Sequence, residues 1–298
     1  MIDTLVLAGG GLKGFSMIES INQLILNNII KLKNIKNYYC TSVGTIISLL
    51  LALGYSMDEL YVFINNFDFN KLSNDIDADN LFNNFGLSNG NSIMTILQSL
   101  VYEKIHKYDI TFLELYKQKY IKLNVITTNI TDGCEEVFNY LHSPNMSILI
   151  TIRMSIAVPL IFTPVEYNNK KYLDGGLVNN FPINHAKTKN YLGIASNYNS
   201  TFNLDYLSEY IFNFVNLAIK TITLKNITKF NKFRLIFLEK NEDINELDFD
   251  IKNINKLKMV GLNSTLNFLK KNNFLIKKIR FLNYLNYNLD IIVSSFYL

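Results

Sequence analysis

Three short stretches of the chain carry residue types at spacings that can do chemistry: AGGGLKG at 8–14, CTSVG at 40–44 and LDGG at 173–176. In the first, Gly9, Gly11 and Gly14 satisfy G-x-G-x-x-G between a short apolar run and an amphipathic stretch, so a strand ends in a tight turn that opens a helix. Backbone N–H groups at such a turn bind anions. A dinucleotide pyrophosphate is one candidate, but that reading also requires an acidic residue about twenty positions on to hold a ribose. The segment Asn27–Thr41 contains no Asp or Glu. A P-loop fails because Lys13 is followed by Gly14, where Ser or Thr is needed. A tight turn with no ligand is the plain alternative.

In the second stretch, Ser42 stands where a strand-like run, Asn37–Thr41, gives way abruptly to an apolar helical run, Val43–Leu53. This is the arrangement of a nucleophile elbow, a strained turn that lifts a serine hydroxyl above a sheet. Gly44 lets the turning backbone pass close to the strand. The first elbow position is Cys40 instead of glycine, and Cys is small enough for close packing to survive. Alone, a serine here is more often a helix N-cap than a nucleophile. A serine that attacks a carbonyl, however, creates an oxyanion that preorganised backbone donors stabilise. The turn containing Gly9, Gly10, Gly11, Lys13 and Gly14 supplies such donors, so the two stretches complement each other.

The third stretch offers a base. Asp174 stands at a strand end, and Gly175 and Gly176 give the backbone room to turn. An Asp-Gly pair is usually only a turn; beside a nucleophile and an oxyanion hole it becomes a catalytic candidate. Histidine is the rival. The chain has three, His106, His142 and His185, and the order Ser42, Asp174, His185 is that of an α/β-hydrolase triad. Against a triad, His185 follows Asp174 by only eleven residues, and Pro182 is placed to start a helix that carries His185 away.

Together the three stretches resemble the patatin-like phospholipase family. GGGLKG is similar to its oxyanion motif, CTSVG to its nucleophile elbow and DGG to its aspartate motif. RMSIAVPLIFTPV (Arg153–Val165) and LVNNFPI are similar to what precedes and follows that aspartate. The likeness covers 5–187, and the C-terminal part, 188–298, is expected to pack on the same domain. The resemblance implies a three-layer α/β/α fold with a mostly parallel central sheet. It further implies a Ser42–Asp174 dyad without an imidazole, an oxyanion hole from the Gly9–Gly14 backbone, and no metal or organic cofactor. The implied partner is a phospholipid or other lipid ester met at a membrane surface. A neutral-lipid esterase or lipase, a nucleotide-binding protein using the Gly9–Gly14 turn, and a silent lipid-binding relative stay open as alternatives.

The surrounding elements must position these residues. A chain of 298 residues with 49% hydrophobic and 18% charged residues can bury a full core. A net charge of +4 suits weak attraction to an anionic lipid surface and is too small to argue for nucleic acid. Two cysteines without ligand spacing point to a reducing, cytoplasmic setting with peripheral membrane contact. No signal peptide is visible, and Val43–Leu53 is too short to span a bilayer. The oligomeric state is open.

Strands are expected at 5–8, 37–41, 121–129, 135–140, 167–173 and 233–238. Helices are expected after the glycine turn, at 43–53, from a Ser56/Glu59 capping box, at 93–106, 111–119 and 146–157, and around 207–218 and 262–269. This alternation indicates an α/β fold with a largely parallel sheet. The polar segment 66–91 reads as a mobile loop or lid, DIDAD (Asp75–Asp79) and 242–250 as solvated acidic stretches, and 270–281 as a basic, apolar segment able to lie on a membrane.

Overall fold

The structure is a computed structural model that describes residues 1–67, 71, 75–196, 207–227, 232–239 and 250–272. The chain opens with β1 (Thr4–Leu7), buried throughout, and after the glycine turn enters α1 (Gly14–Leu26). Met17, Ile21 and Leu24, at helical spacing, bury the inner face of α1. β2 (Asn37–Thr41) and α2 (Val43–Leu53) meet at Ser42 with the bounds read from the sequence. α2 is apolar on nearly every side because it lies inside the fold, and it ends at Gly54, whose φ of 101° is a left-handed cap. The capping box forms as expected: Ser56 accepts from the Glu59 amide, and the Glu59 carboxylate accepts from the Ser56 amide, starting α3 (Met57–Asn66).

The described part of 66–91 is more ordered than a loop. Asp77 caps α4 (Ala78–Asn84), and β3 (Gly86–Ser88) follows. DIDAD is largely exposed, as expected of a solvated acidic stretch, but its last residues cap and open a helix. Next come α5 (Asn91–Ile105), α6 (Phe112–Lys119), β4 (Lys122–Asn129), β5 (Cys134–Phe138) and α7 (Ile148–Ser155). β6 (Leu160–Phe162) pairs with β3 in a small parallel sheet of its own.

The single strand expected at 167–173 is a hairpin, β7 (Val165–Tyr167) and β8 (Lys170–Asp174). Asn168 and Asn169 turn it at φ 51° and 60°, the conformation that tight hairpin turns demand and asparagine tolerates. α8 (Gly176–Asn179), β9 (Tyr191–Ser196), α9 (Leu207–Asn226), β10 (Leu235–Leu238) and α10 (Ile251–Lys271) complete the described chain. Residues 242–249 of the acidic stretch and 273–281 of the basic one lie outside the described residues.

The main sheet runs β10-β9-β1-β2-β4-β8-β7, with β5 on the other edge of β4. β10, β9, β1, β2 and β4 are parallel; β5, β8 and β7 join antiparallel. Helices flank the sheet, giving the expected α/β architecture. β9 and β10 extend the sheet beyond β1, and α10 lies on α1, where Ser16 Oγ donates to the Leu257 carbonyl at 2.6 Å. The C-terminal ends of β1 and β2 open towards one region, where open parallel sheets bind ligands.

Candidate active site

The placement of Ser42 and Asp174 follows from β4. One of its edges pairs with β5 from Val125 to Asn129. The other edge takes β2 as far as Ile126 and then β8 from Thr127 onward. Thr41 lies opposite Ile126 and Asp174 opposite Thr127, so two antiparallel strand ends meet head to head. Ser42 and Asp174 thereby come together from positions far apart in the chain.

Ser42 has φ 52° and ψ −130°, a conformation that costs an L-residue on the order of 1–3 kcal/mol. Its surroundings hold it there. The Ser42 amide donates to Ser155 Oγ at 2.9 Å, and the Ser42 carbonyl accepts from the Thr45 amide at 2.8 Å and Thr45 Oγ1 at 2.6 Å. A side chain at Gly44 would place its Cβ 2.6 Å from the Leu7 carbonyl oxygen, so α2 can pass β1 only with glycine there. Cys40 is wholly buried between β1 and β4, and its thiol donates to the Asn124 carbonyl at 3.3 Å.

Asp174 is only 3% exposed. Its amide donates to the Ala157 carbonyl at 2.9 Å, and its carbonyl accepts from Thr128 Oγ1 at 2.7 Å. Burial pushes its carboxyl up to about 6, against the opposing pull of the Ser42 hydroxyl and of the Gly176 amide, which donates to Oδ1 at 2.7 Å. Oδ2 accepts no hydrogen bond of normal geometry. The Ser42 hydroxyl therefore influences the carboxyl from nearby without a hydrogen bond of normal geometry.

The glycine turn offers fewer donors than its five candidate residues suggest. The Gly9 amide donates to the Asn180 carbonyl at 3.1 Å, the Lys13 amide to the Gly10 carbonyl at 3.0 Å, and the Gly14 amide to the carbonyls of Gly11 and Leu12. Among the described residues, the amides of Gly10 and Gly11 have no acceptor, and neither does that of Val43, directly after the serine. Gly9 is needed for space instead: its Cβ would lie 2.3 Å from Asn180 Oδ1 and 3.0 Å from Ser42 Cβ. The same two distances place the Asn180 side chain beside the serine.

His185 is elsewhere. It lies in a short 3-10 turn after Pro182, its Nε2 is 2.5 Å from Glu135 Oε1, and its ring stacks on Tyr39 at 6.2 Å. Burial raises the Glu135 carboxyl, but hydrogen bonds from His185 and Asn179 and the charge of His185 outweigh it and hold the group below its usual range. Arg153, 7% exposed, binds the Asn89 and Thr163 carbonyls and ties the small β3–β6 sheet to α7; burial lowers it to about 10.

Ser155, Thr128, Val43 and Asn180 are site residues that the sequence reading did not single out. The signal for Ser155 and Asn180 was membership of the stretches RMSIAVP and LVNNFPI, for Val43 adjacency to the serine, and for Thr128 only its place in the strand-like run 121–129.

A probable lipid hydrolase of Invertebrate iridescent virus 6 is 36% identical over 188 residues, covering 61% of this chain and 62% of that protein. An uncharacterised protein of Acanthamoeba polyphaga mimivirus is 34% identical over 184 residues, covering 61% and 60%. The chain thus spans about three fifths of the length of these relatives. The crystal structure of VipD from Legionella pneumophila superposes with a TM-score of 0.59 at 15% identity, over 91% of this chain and 67% of VipD, a likeness of fold. A family profile described as patatin-like phospholipase matches residues 5–187, which includes the glycine turn, the elbow and the Asp-Gly-Gly turn, and the chain belongs to that family.

Proposed function

We propose that the protein is a lipid acyl hydrolase of phospholipase A type, with Ser42 as nucleophile and Asp174 as base. The observation that carries this reading is a strained, buried serine beside a buried carboxyl whose pKa is raised to about 6. At neutral pH such a carboxyl is ionised yet more basic than an ordinary aspartate, as a general base should be. Asp174 takes the hydroxyl proton as Ser42 Oγ bonds to the ester carbonyl carbon. The resulting oxyanion is held by the amides of Gly10, Gly11 and Val43. Collapse breaks the bond to the alcohol, which leaves with the proton from Asp174, and acyl-Ser42 remains. Water then attacks the acyl carbon while Asp174 again takes a proton, and the fatty acid departs with Ser42 restored.

The family and the name of the iridescent virus relative support a lipid ester as substrate. Among the described residues no helix is long and apolar enough to cross a membrane. The mild positive charge, +4, and the lack of a cysteine framework support peripheral access to lipid from the cytoplasm. The same geometry serves a neutral-lipid ester, and mixed substrates separate the two readings. Incubation with phospholipids and triacylglycerols, followed by mass spectrometry, should show free fatty acid and lysophospholipid. A fluorophosphonate probe should label Ser42, and Ser42→Ala should abolish both labelling and hydrolysis. An unlabelled protein that binds a dinucleotide in calorimetry would replace this reading with the nucleotide-binding one.

A further inference from the structure

We propose that Ser155, at the end of α7, is the positioning residue of the nucleophile elbow. The inference rests on the serine-hydrolase reading. A residue that leaves a strand at φ 52° and ψ −130° turns its amide away from both the sheet ladder and the following helix. The Ser42 amide is buried and must find another acceptor. Ser155 Oγ is that acceptor at 2.9 Å, and the same hydroxyl donates its one proton to the Ile126 carbonyl at 2.6 Å. With its proton committed to Ile126, the oxygen faces Ser42 as an acceptor only. Ile126 is the β4 residue opposite Thr41, so the hydroxyl links the elbow to the strand that sets its register.

The backbone around Ser155 grips the base as well. The Ser155 carbonyl accepts from the Gly175 amide at 3.4 Å, and the Ala157 carbonyl accepts from the Asp174 amide at 2.9 Å. Residues 155–157 therefore hold the nucleophile through a side chain and the base through the main chain. Ser155 is wholly buried, and its recorded bonds are to backbone groups, so it acts on the reaction through Ser42.

The test uses the full chain carrying Ser155→Ala or Ser155→Thr, assayed well below the thermal transition. Orphaning one buried amide should cost Ser155→Ala roughly ten- to a hundredfold in kcat, with KM within about twofold. Fluorophosphonate labelling of Ser42 should slow by the same factor. Ser155→Thr keeps the hydroxyl and should recover most of the loss. In an Asp174→Asn background the Ser155→Ala change should cost under about threefold, because residues acting as a unit are not additive. If Ser155→Ala does not fold, Ser155→Cys, whose sulfur is a weak acceptor, should show the same kcat loss. An Ala or Cys variant with parental kcat and labelling rate, whatever its melting temperature, would overturn the proposal. A parent protein in which Ser42 is not labelled overturns the hydrolase reading and this inference with it.

Discussion

Replacing Asp174 by asparagine should abolish activity and strengthen the fold. Burial raises the Asp174 carboxyl from an ordinary value near 4 to about 6. Between those values the folded chain holds a proton that the unfolded chain has released, so stability falls as pH rises through that window. Two units at 1.36 kcal/mol each amount to about 3 kcal/mol of stability surrendered at pH 7. Asparagine has the same shape, carries no charge, and can keep its carbonyl oxygen as acceptor for the Gly176 amide, a bond made at 2.7 Å in the parent. That bond is weaker to a neutral oxygen, so the net gain at pH 7 should be about 1–3 kcal/mol. The assay is urea unfolding of parent and variant, followed by circular dichroism from pH 7 down to pH 4. The variant's advantage should shrink steadily and vanish near pH 4, where the parent carboxyl is neutral. Hydrolysis at pH 7 should fall by a factor on the order of 10³. A folded variant less stable than the parent at pH 7, or an advantage independent of pH, would refute the claim that desolvation raises this carboxyl.

Activity should track the same group: kcat should drop as one proton is added below about pH 6, and a profile flat to pH 4.5 would remove a carboxylate base from the mechanism. His185→Ala should keep hydrolysis within about tenfold of the parent, since the imidazole is engaged by Glu135 and stacked on Tyr39. A folded His185→Ala protein as inactive as Asp174→Asn would restore a triad. Cys40→Gly should be tolerated, whereas Cys40→Leu should lose about 1–3 kcal/mol and most activity by overpacking a site with no exposed surface. Equal melting temperature and turnover in the leucine variant would show that the elbow is not tightly packed.

What was legible in the sequence was whatever local pattern controls. The break at Ser42 was clear because a continuous apolar helix begins at the next residue, and β2 and α2 have the bounds read from it. The Ser56–Glu59 box was clear because its partners are three residues apart. The Asn168–Asn169 turn carried a signal that a continuous strand reading passed over. Other features depend on distant partners. Ser155 reads as one more helical residue until its acceptor role towards Ser42, 113 positions away, is seen. The narrowing of the proposed oxyanion donors to Gly10, Gly11 and Val43 required knowing that the Asn180 carbonyl takes the Gly9 amide. Segment 66–91 looked unstructured because β3 is ordered by β6, which lies beyond position 159.

The shared edge of β4 has a consequence for the order in which the candidate site is assembled. During synthesis β1, β2 and α2 emerge early, and the serine is then present without its base. β4 follows and can fix the register of β2, but the Thr127–Asn129 end of that edge stays empty until β8 arrives, more than forty residues later. Only then does Asp174 dock, with the Ala157 carbonyl already waiting for its amide, and the Gly9 amide must wait further for Asn180. On the proposed mechanism, catalytic power therefore arrives late, with β8. On the same mechanism, a nascent or prematurely terminated chain that stops before β8 displays a serine without the base that would activate it.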